Sequence, residues 1–192
     1  MKARKILASL LAAGCLSVAC FAEAATVALL PLIDKSSYED KEEVNATYVS
    51  AAIRAINASD NFTLVDNESL GMVLDKNLEP GKLPSPQTLK TIAEQAGVDV
   101  VIATQLETLD SSHRTTYDGT FLKLDLAGTC YYYNTAEGKV RKYRMYNDIE
   151  RDATIYSRSN FELEYWSDEV RRAVNRAIGN KKIKLERPKL GW

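Results

Sequence analysis

Two patterns of apolar residues divide the chain. From residue 26 to residue 109, short apolar runs alternate with stretches in which apolar residues recur every three or four positions. The runs predict strands at 26–32, 62–65 and 98–106, and the first and last are apolar enough to be buried on both faces. The periodic stretches indicate amphipathic helices at 42–58, 67–74 and 85–96. The order β-α-β-α-α-β predicts an α/β sheet with helices on both faces.

Beyond Leu109 the pattern changes to alternation between two faces. A polar stretch from Asp110 to Asp118 is typical of a loop. Residues 121–133 then place Leu122, Leu124, Leu126, Gly128, Cys130 and Tyr132 on one face, and after residue 138 the same face continues with Tyr143, Met145 and Ile149. This pattern predicts an antiparallel hairpin that turns near Gly138 and has one buried side. An isolated glycine inside a strand, here Gly128, indicates close packing or a bulge.

A last periodic stretch, at 159–178, predicts a helix that Gly179 ends. The whole pattern predicts a single α/β (α+β) domain at residues 26–180. Its expected architecture is a mixed sheet of about five strands flanked by four helices, with a long antiparallel hairpin near the C-terminus.

The first 25 residues have the features of a secretory signal peptide. A basic start is followed by an uncharged, Leu- and Ala-rich segment and the small-residue motif Ala22-Glu23-Ala24. We therefore expect export and removal of this segment, with the mature protein in the periplasm or on the periplasmic face of the outer membrane. Lipidation of Cys15 or Cys20 is the alternative, although leucine lies four positions before each cysteine, whereas a lipobox has it three before. Removal of the first 24 or 25 residues leaves Cys130 as the only cysteine, without an internal disulfide partner.

Charge and composition exclude several classes of function. The 192 residues include 25 basic and 26 acidic side chains, and the net charge is −1. Proteins that bind nucleic-acid phosphates carry a clear basic excess, so we expect no nucleic-acid partner. A hydrophobic fraction of 45% is ordinary for a globular domain and too high for a disordered chain.

The sequence contains no motif that predicts catalysis, a metal site or a cofactor. His113 is the only histidine, and no second His or Cys cluster accompanies it. A Gly-x-Ser-x-Gly elbow and a Gly-rich phosphate loop are both missing from the sequence. Glu107 and Asp110 flank a strand end, where a hydrolase could place acids, but the same residues suit a polar strand exit. We expect no catalytic residue, no metal ligand and no cofactor.

Two surfaces are candidates for binding. The polar face of the hairpin carries tyrosines and cations, the residue types that dominate interaction hot spots, and they are Tyr131, Tyr133, Lys142, Arg144 and Tyr146. Because tyrosine also has a high β propensity, an ordinary strand surface remains the alternative. The tail at 181–192 is basic, so it could contact anionic lipid or cell-wall polymer, or simply be solvated.

Three segments resemble a family of bacterial envelope proteins. The segments are Val-Ala-Leu-Leu-Pro-Leu at 27–32, Asn-Phe-Thr-Leu-Val-Asp-Asn-Glu-Ser-Leu-Gly-Met-Val-Leu at 61–74, and Ile-Ala-Glu-Gln-Ala-Gly-Val-Asp-Val-Val-Ile-Ala-Thr-Gln-Leu at 92–106. The family includes the curli-secretion channel protein CsgG, the LpoB-like lipoprotein activators of penicillin-binding proteins and the N-terminal domain of TolB. The resemblance covers residues 26–110 and implies a binding or assembly role in the envelope.

Three functions follow as hypotheses. The first is a non-enzymatic exported accessory or assembly module that binds an envelope protein or associates with itself. The second is a subunit of an oligomeric outer-membrane secretion channel, which needs lipid-facing strands; Asn147 and Arg151 on the otherwise apolar hairpin face count against it. The third is a secreted enzyme with an unrecognised site.

Overall fold

A computed structural model describes residues 24–153 and 158–179 of the chain. The strands are β1 Ala25–Leu29, β2 Ile33–Asp34, β3 Phe62–Leu64, β4 Val100–Thr116, β5 Gly119–Asn134 and β6 Lys139–Asp152. The helices are α1 Lys41–Asn57, α2 Asn67–Asn77, α3 Pro86–Ala96 and α4 Arg158–Ala177. The predicted α/β class and order of elements are therefore confirmed. The signal-peptide and lipidation predictions, and the prediction for the basic tail, concern residues outside the described ranges.

The sheet is mixed, as expected. Its strand order is β3-β1-β4-β5-β6, and the two-residue strand β2 also pairs with β4, which makes six strands rather than five. Strand β1 runs parallel to β3 and β4, whereas β4, β5 and β6 are antiparallel neighbours. We call these last three strands the meander.

The prediction of a loop at 110–118 is wrong. Strand β4 continues to Thr116, and residues 108–116 pair with the first nine residues of β5, so that only Tyr117 and Asp118 form the turn. Near this turn side chains on both sides of the strand are exposed, so the sequence shows no apolar alternation there. The meander therefore has three strands at the end away from β1, whereas the predicted hairpin has two.

A β-bulge in β4 bends the meander where the pairing shifts between Leu106 and Thr108. Gly128 faces this bulge. A Cβ atom at Gly128 would lie 2.8 Å from the carbonyl oxygen of Gln105, a distance that side chains do not tolerate. The interpretation of Gly128 as a bulge or close-packing residue is confirmed.

Local signals in the sequence fix the ends of the helices. The side chain of Asp40 accepts a hydrogen bond from the backbone N–H of Glu43 at 2.9 Å and so caps α1. Ser85 caps α3 in the same way, with Pro86 in the first turn, and Gly97 ends this helix in the left-handed conformation. These helices therefore start and stop where they can cover the sheet.

Each face of the sheet packs on its own hydrophobic core. The larger core lies under α1 and α4 and includes the predicted apolar face of the hairpin, with Leu122, Leu124 and Leu126. Trp166 of α4 is its largest side chain, and its indole N–H donates to the carbonyl oxygen of Val44 at 3.2 Å. The smaller core joins α2 and α3 to β1, to the start of β4 and to the end of β5. It therefore covers only the part of the sheet around the parallel strands.

Within residues 24–153 and 158–179, no helix combines the length and the hydropathy required to cross a membrane.

Candidate functional site

Within residues 24–153 and 158–179, no helix covers one face of the meander beyond the point where the smaller core ends. The register places a set of side chains on the same side of the sheet as α2 and α3 but beyond these helices. We call this surface the outer face, and it consists of Thr108, Asp110, Ser112 and Arg114 of β4, Lys123, Asp125, Ala127 and Thr129 of β5, and Lys142, Arg144, Tyr146, Asp148 and Glu150 of β6. The opposite side of the same strands is buried under α4.

Four of the five predicted partner-binding residues lie on or beside the outer face. Tyr146 is 67% exposed, and Arg144 is exposed next to it along β6. Lys142 lies over the ring of Tyr131, with its Nζ atom 5.4 Å from the ring centroid. Tyr131 itself is half-buried against the edge of the smaller core.

Tyr133 does not belong to this surface. Its side chain is only 7% exposed and packs in the smaller core with Leu89 and Ile92 of α3. The alternation of the strand correctly gives the side on which Tyr133 lies. It could not reveal that α3 covers that side at this end of β5.

Three aspartates form a row across the outer face. Asp125 of β5 is directly opposite Asp110 of β4 on one side and Asp148 of β6 on the other. Lys123 lies 3.5 Å from Asp148, and Arg114 contacts Glu150 at 2.8 Å. The three aspartates, Lys123 and Tyr146 are among the residues that line a shallow pocket of about 290 Å³. Like charges directly opposite each other destabilise a sheet, and Lys123 offsets part of this charge at Asp148.

Sequence analysis missed this row because Asp110 was assigned to a loop. Asp125 and Asp148 already lay on the polar face in the predicted hairpin. Only the extension of β4 adds the third carboxylate. Among the residues that the structure describes, no group of His, Cys, Asp and Glu side chains is arranged to hold a metal ion.

The histidine and the acids considered for catalysis have different environments. His113 is exposed near the end of β4, in a strand rather than in the predicted loop. Glu107 lies at the bulge, where its carboxylate accepts hydrogen bonds from Gln105 at 3.3 Å and Thr129 at 3.4 Å. Glu107 is therefore a polar group of the bulge, and neither Glu107 nor Asp110 lies at the expected strand exit, because β4 continues to Thr116.

Three groups on the covered side, Cys130, Tyr48 and Tyr143, have raised pKa values. Burial raises the pKa of the Cys130 thiol to about 12 and also raises the pKa of Tyr48. Burial, followed by the nearby Glu169 carboxylate, raises the pKa of Tyr143 to about 12. The hydroxyl of Tyr143 donates to Glu169 at 3.0 Å, and Glu169 also pairs with Arg172. Because a thiol with such a raised pKa is a poor nucleophile, these groups have a structural role.

A second concave surface lies at the carboxyl end of β1. This cleft of about 640 Å³ lies between the β1–β2 connection, α2 and the α2–α3 loop. Its lining is mostly apolar, with Leu30, Leu74 and Leu78 at its base and charged residues such as Asp75 and Lys82 around it. The residues that line it include no His, Cys, Ser or Thr. It could hold an apolar group, and its lining offers no thiol, hydroxyl or imidazole side chain.

No protein-family model matches the chain, and no curated protein matches it in sequence. Several solved structures are similar in fold. The hypothetical protein CT253 from Chlamydia trachomatis is 13% identical, with 81% of this chain and 94% of that chain covered and a TM-score of 0.45. The C-terminal domain of LpoB from Salmonella enterica is 12% identical, with coverages of 67% and 84% and a TM-score of 0.43. Lipoprotein GNA1162 from Neisseria meningitidis is 12% identical, with coverages of 81% and 99% and a TM-score of 0.41.

The LpoB part of the resemblance seen in the sequence recurs among these structures. At such identities and TM-scores, the likeness does not carry the roles of those proteins over to this chain.

Proposed function

We propose that this chain is a non-enzymatic, exported accessory protein of the bacterial envelope that binds a protein partner through the outer face of its meander. The observation that carries the proposal is the sheet itself, which extends past α2 and α3 with one side buried under α4 and the other uncovered. Tyr146, 67% exposed, is at the centre of the uncovered side.

The meander is a rigid platform for such a surface. The pairing of β5 with β6 is unbroken from the Phe121–Asp152 pair to the Asn134–Lys139 pair. On the buried side, Leu122, Leu124 and Leu126 hold these strands against α4. A preformed platform loses little conformational freedom on binding, which leaves more of the interaction energy for affinity.

The chemistry of the outer face suits a protein rather than a small molecule. Tyrosine and arginine are the residues most often found at interaction hot spots, and here Tyr146 and Arg144 are neighbours on β6. Lys142 and Arg144 lie on one side of Tyr146, while Asp125 and Asp148 lie on the other. A partner that fits would present an acidic patch and a basic patch in the matching order.

Export is the part of the proposal that rests on the first 25 residues. The basic start, the uncharged segment and Ala22-Glu23-Ala24 support removal by signal peptidase. Mass spectrometry of the natural N-terminus tests this, and we expect a start at Ala25 or Thr26. A start at Met1 would contradict export with cleavage, and a lipid-modified Cys15 or Cys20 would assign the protein to the lipoproteins.

Photo-crosslinking in cells tests the binding face. A photoreactive amino acid at position 146 should give a discrete adduct with a second protein, because Tyr146 is at the centre of the outer face. The matched control is position 72, since Met72 of α2 is 89% exposed but lies outside the meander. Adducts that are equally abundant at both positions, or present only at position 72, would contradict the proposal. An adduct with the mass of two copies of the chain reports self-association instead.

A further inference from the structure

The outer edge of the sheet is open along β6. This 14-residue strand is the last in the strand order, and in the described ranges no strand pairs with its outer side. Proteins usually block such an edge with proline, a bulge, a short strand or charged side chains, and of these β6 has only the charges. Strand β6 contains neither proline nor glycine, and its pairing with β5 has no register shift.

The charges of β6 are ordered in two blocks along the outer face. Lys142 and Arg144 come before Tyr146, and Asp148 and Glu150 follow it. An antiparallel copy of the same strand carries these blocks in the opposite order. The strand is therefore complementary to itself in charge.

We propose that a second copy of this chain adds to the open edge, with the two β6 strands antiparallel about a two-fold axis at Tyr146. Such an axis is normal to the sheet, so residues directly opposite each other point to the same side. The pairing sets Arg144 opposite the partner's Asp148 and Lys142 opposite the partner's Glu150. The two sheets then form one continuous sheet.

On the outer face of β6, the acidic residues are paired with other described residues and the cations are not, which favours a second copy of the chain at this edge. Among the described residues, Lys142 and Arg144 form no ion pair, whereas Asp148 and Glu150 lie near Lys123 and Arg114. Lys142 and Arg144 therefore lack acidic partners within the described part of the chain. In the proposed register, the partner's Glu150 and the partner's Asp148 supply them. A uniformly acidic partner would meet the cations but would be repelled by Asp148 and Glu150.

The buried side of the strand is compatible with the same register. Half-buried Tyr143 lies opposite the partner's Ile149, which adds apolar contact. Arg141 comes opposite the partner's Arg151, but both charges are already engaged. Arg141 pairs with Glu137 at 2.7 Å, and Arg151 lies over the ring of Tyr165 at 5.6 Å.

Self-pairing does not require the partner proposed above, although Arg144 and Tyr146 belong to both surfaces. It uses the edge of β6, whereas β4 and β5 of the outer face stay open. Because the test uses the purified chain alone, it succeeds or fails regardless of whether any other protein binds.

Charge reversal followed by charge exchange tests the register. In sedimentation velocity at rising concentration, we expect the wild-type chain to form a dimer. Arg144→Glu alone, or Asp148→Arg alone, places like charges opposite each other twice and should raise the dimer dissociation constant at least about tenfold. An equimolar mixture of the two variants restores both ion pairs, so it should form a heterodimer. Lys90→Glu on α3 is the matched control and should dimerise like the wild type.

Hydrogen exchange gives an independent readout. Alternate amides of β6 point away from β5, and they should become protected in the dimer but not in the Arg144→Glu variant. The thermal melt of this variant should match that of the wild type at concentrations too low for dimerisation. The inference is overturned if the wild type stays monomeric up to about 1 mM, a range in which even weak edge pairing is detectable. A dimer that Arg144→Glu leaves unchanged, or a mixture that stays monomeric, would overturn it as well.

Discussion

The two ends of the meander use the same alternating strands in different ways. At one end, next to β1, both sides of β4 and β5 are buried, one under α1 and α4 and the other under α2 and α3. At the other end only the α4 side is buried, and the outer face is open. Tyr133 and Tyr146 share one side of the sheet, yet they are 7% and 67% exposed. On this side of the sheet, the position of a residue along the strand therefore decides whether it is buried or exposed.

The uncovered end also tolerates features that the covered end lacks. Three aspartates are directly opposite one another there, although such an arrangement destabilises a sheet. In contrast, the equivalent positions under α3 hold Val101, Ala103 and Tyr133. An arrangement that weakens the fold without serving the core is typical of a surface kept for interaction.

The largest effect should come from the side that faces α4, where Leu122, Leu124 and Leu126 are buried. Leu124→Ala removes a fully buried side chain and should lower the free energy of unfolding by about 2–5 kcal/mol. The neighbouring substitution Lys123→Ala removes one exposed ion pair and should change it by no more than about 0.5 kcal/mol. Chemical denaturation measures both. Equal losses would mean that the two sides of β5 do not differ as described.

A tyrosine pair tests the two ends on one side of the sheet. Tyr133→Ala should destabilise the protein by about 1.5–3 kcal/mol, because it removes a buried aromatic ring from the smaller core. Tyr146→Ala should leave stability within about 0.5 kcal/mol of the wild type. Thermal melts of the two variants suffice. A stable Tyr133→Ala protein would mean that α3 does not cover this end of the sheet.

The covered side should also make the protein sensitive to alkali. The raised pKa of Cys130 means that the folded state retains a proton that the unfolded chain releases. Its contribution to stability is therefore complete below about pH 9 and is lost as the pH rises from 9 towards 12. Unfolding free energies measured between pH 8 and 11 should fall by up to about 1.4 kcal/mol per pH unit for this group. Cys130→Ala should flatten the fall, and an unchanged slope would contradict the assignment.

The smallest effect should be a gain in stability from a substitution on the outer face. Asp125→Asn removes the central charge of the aspartate row and should stabilise the protein by about 0.2–1 kcal/mol. High salt screens exposed charges, so the gain should shrink when the ionic strength is raised. Denaturation at low and high salt measures this. A loss of stability on this substitution would mean that the row is held together by a favourable interaction.

Much of the fold could be predicted because its signals are local. The alternation from Leu122 to Tyr132 identified the buried side of β5, and Ser85, Pro86 and Gly97 mark the ends of α3 as observed. The end of β4 could not be predicted, because polar side chains on both sides of a strand tip give no periodic pattern. The loss of Tyr133 from the binding face and the row made by Asp110, Asp125 and Asp148 depend on contacts between distant segments. A pattern along one strand contains no information about those contacts.

The most direct test of the account is the affinity of the partner captured at position 146. Binding should be measured for the wild type, Tyr146→Ala, Arg144→Ala and the control Met72→Ala, each with its thermal melt. We expect the two meander variants to keep the wild-type melting temperature and to bind at least roughly 30-fold more weakly, as hot-spot truncations of 2 kcal/mol or more do. Met72→Ala should bind like the wild type. Wild-type affinity in both folded meander variants would contradict the claim that the outer face is the binding surface.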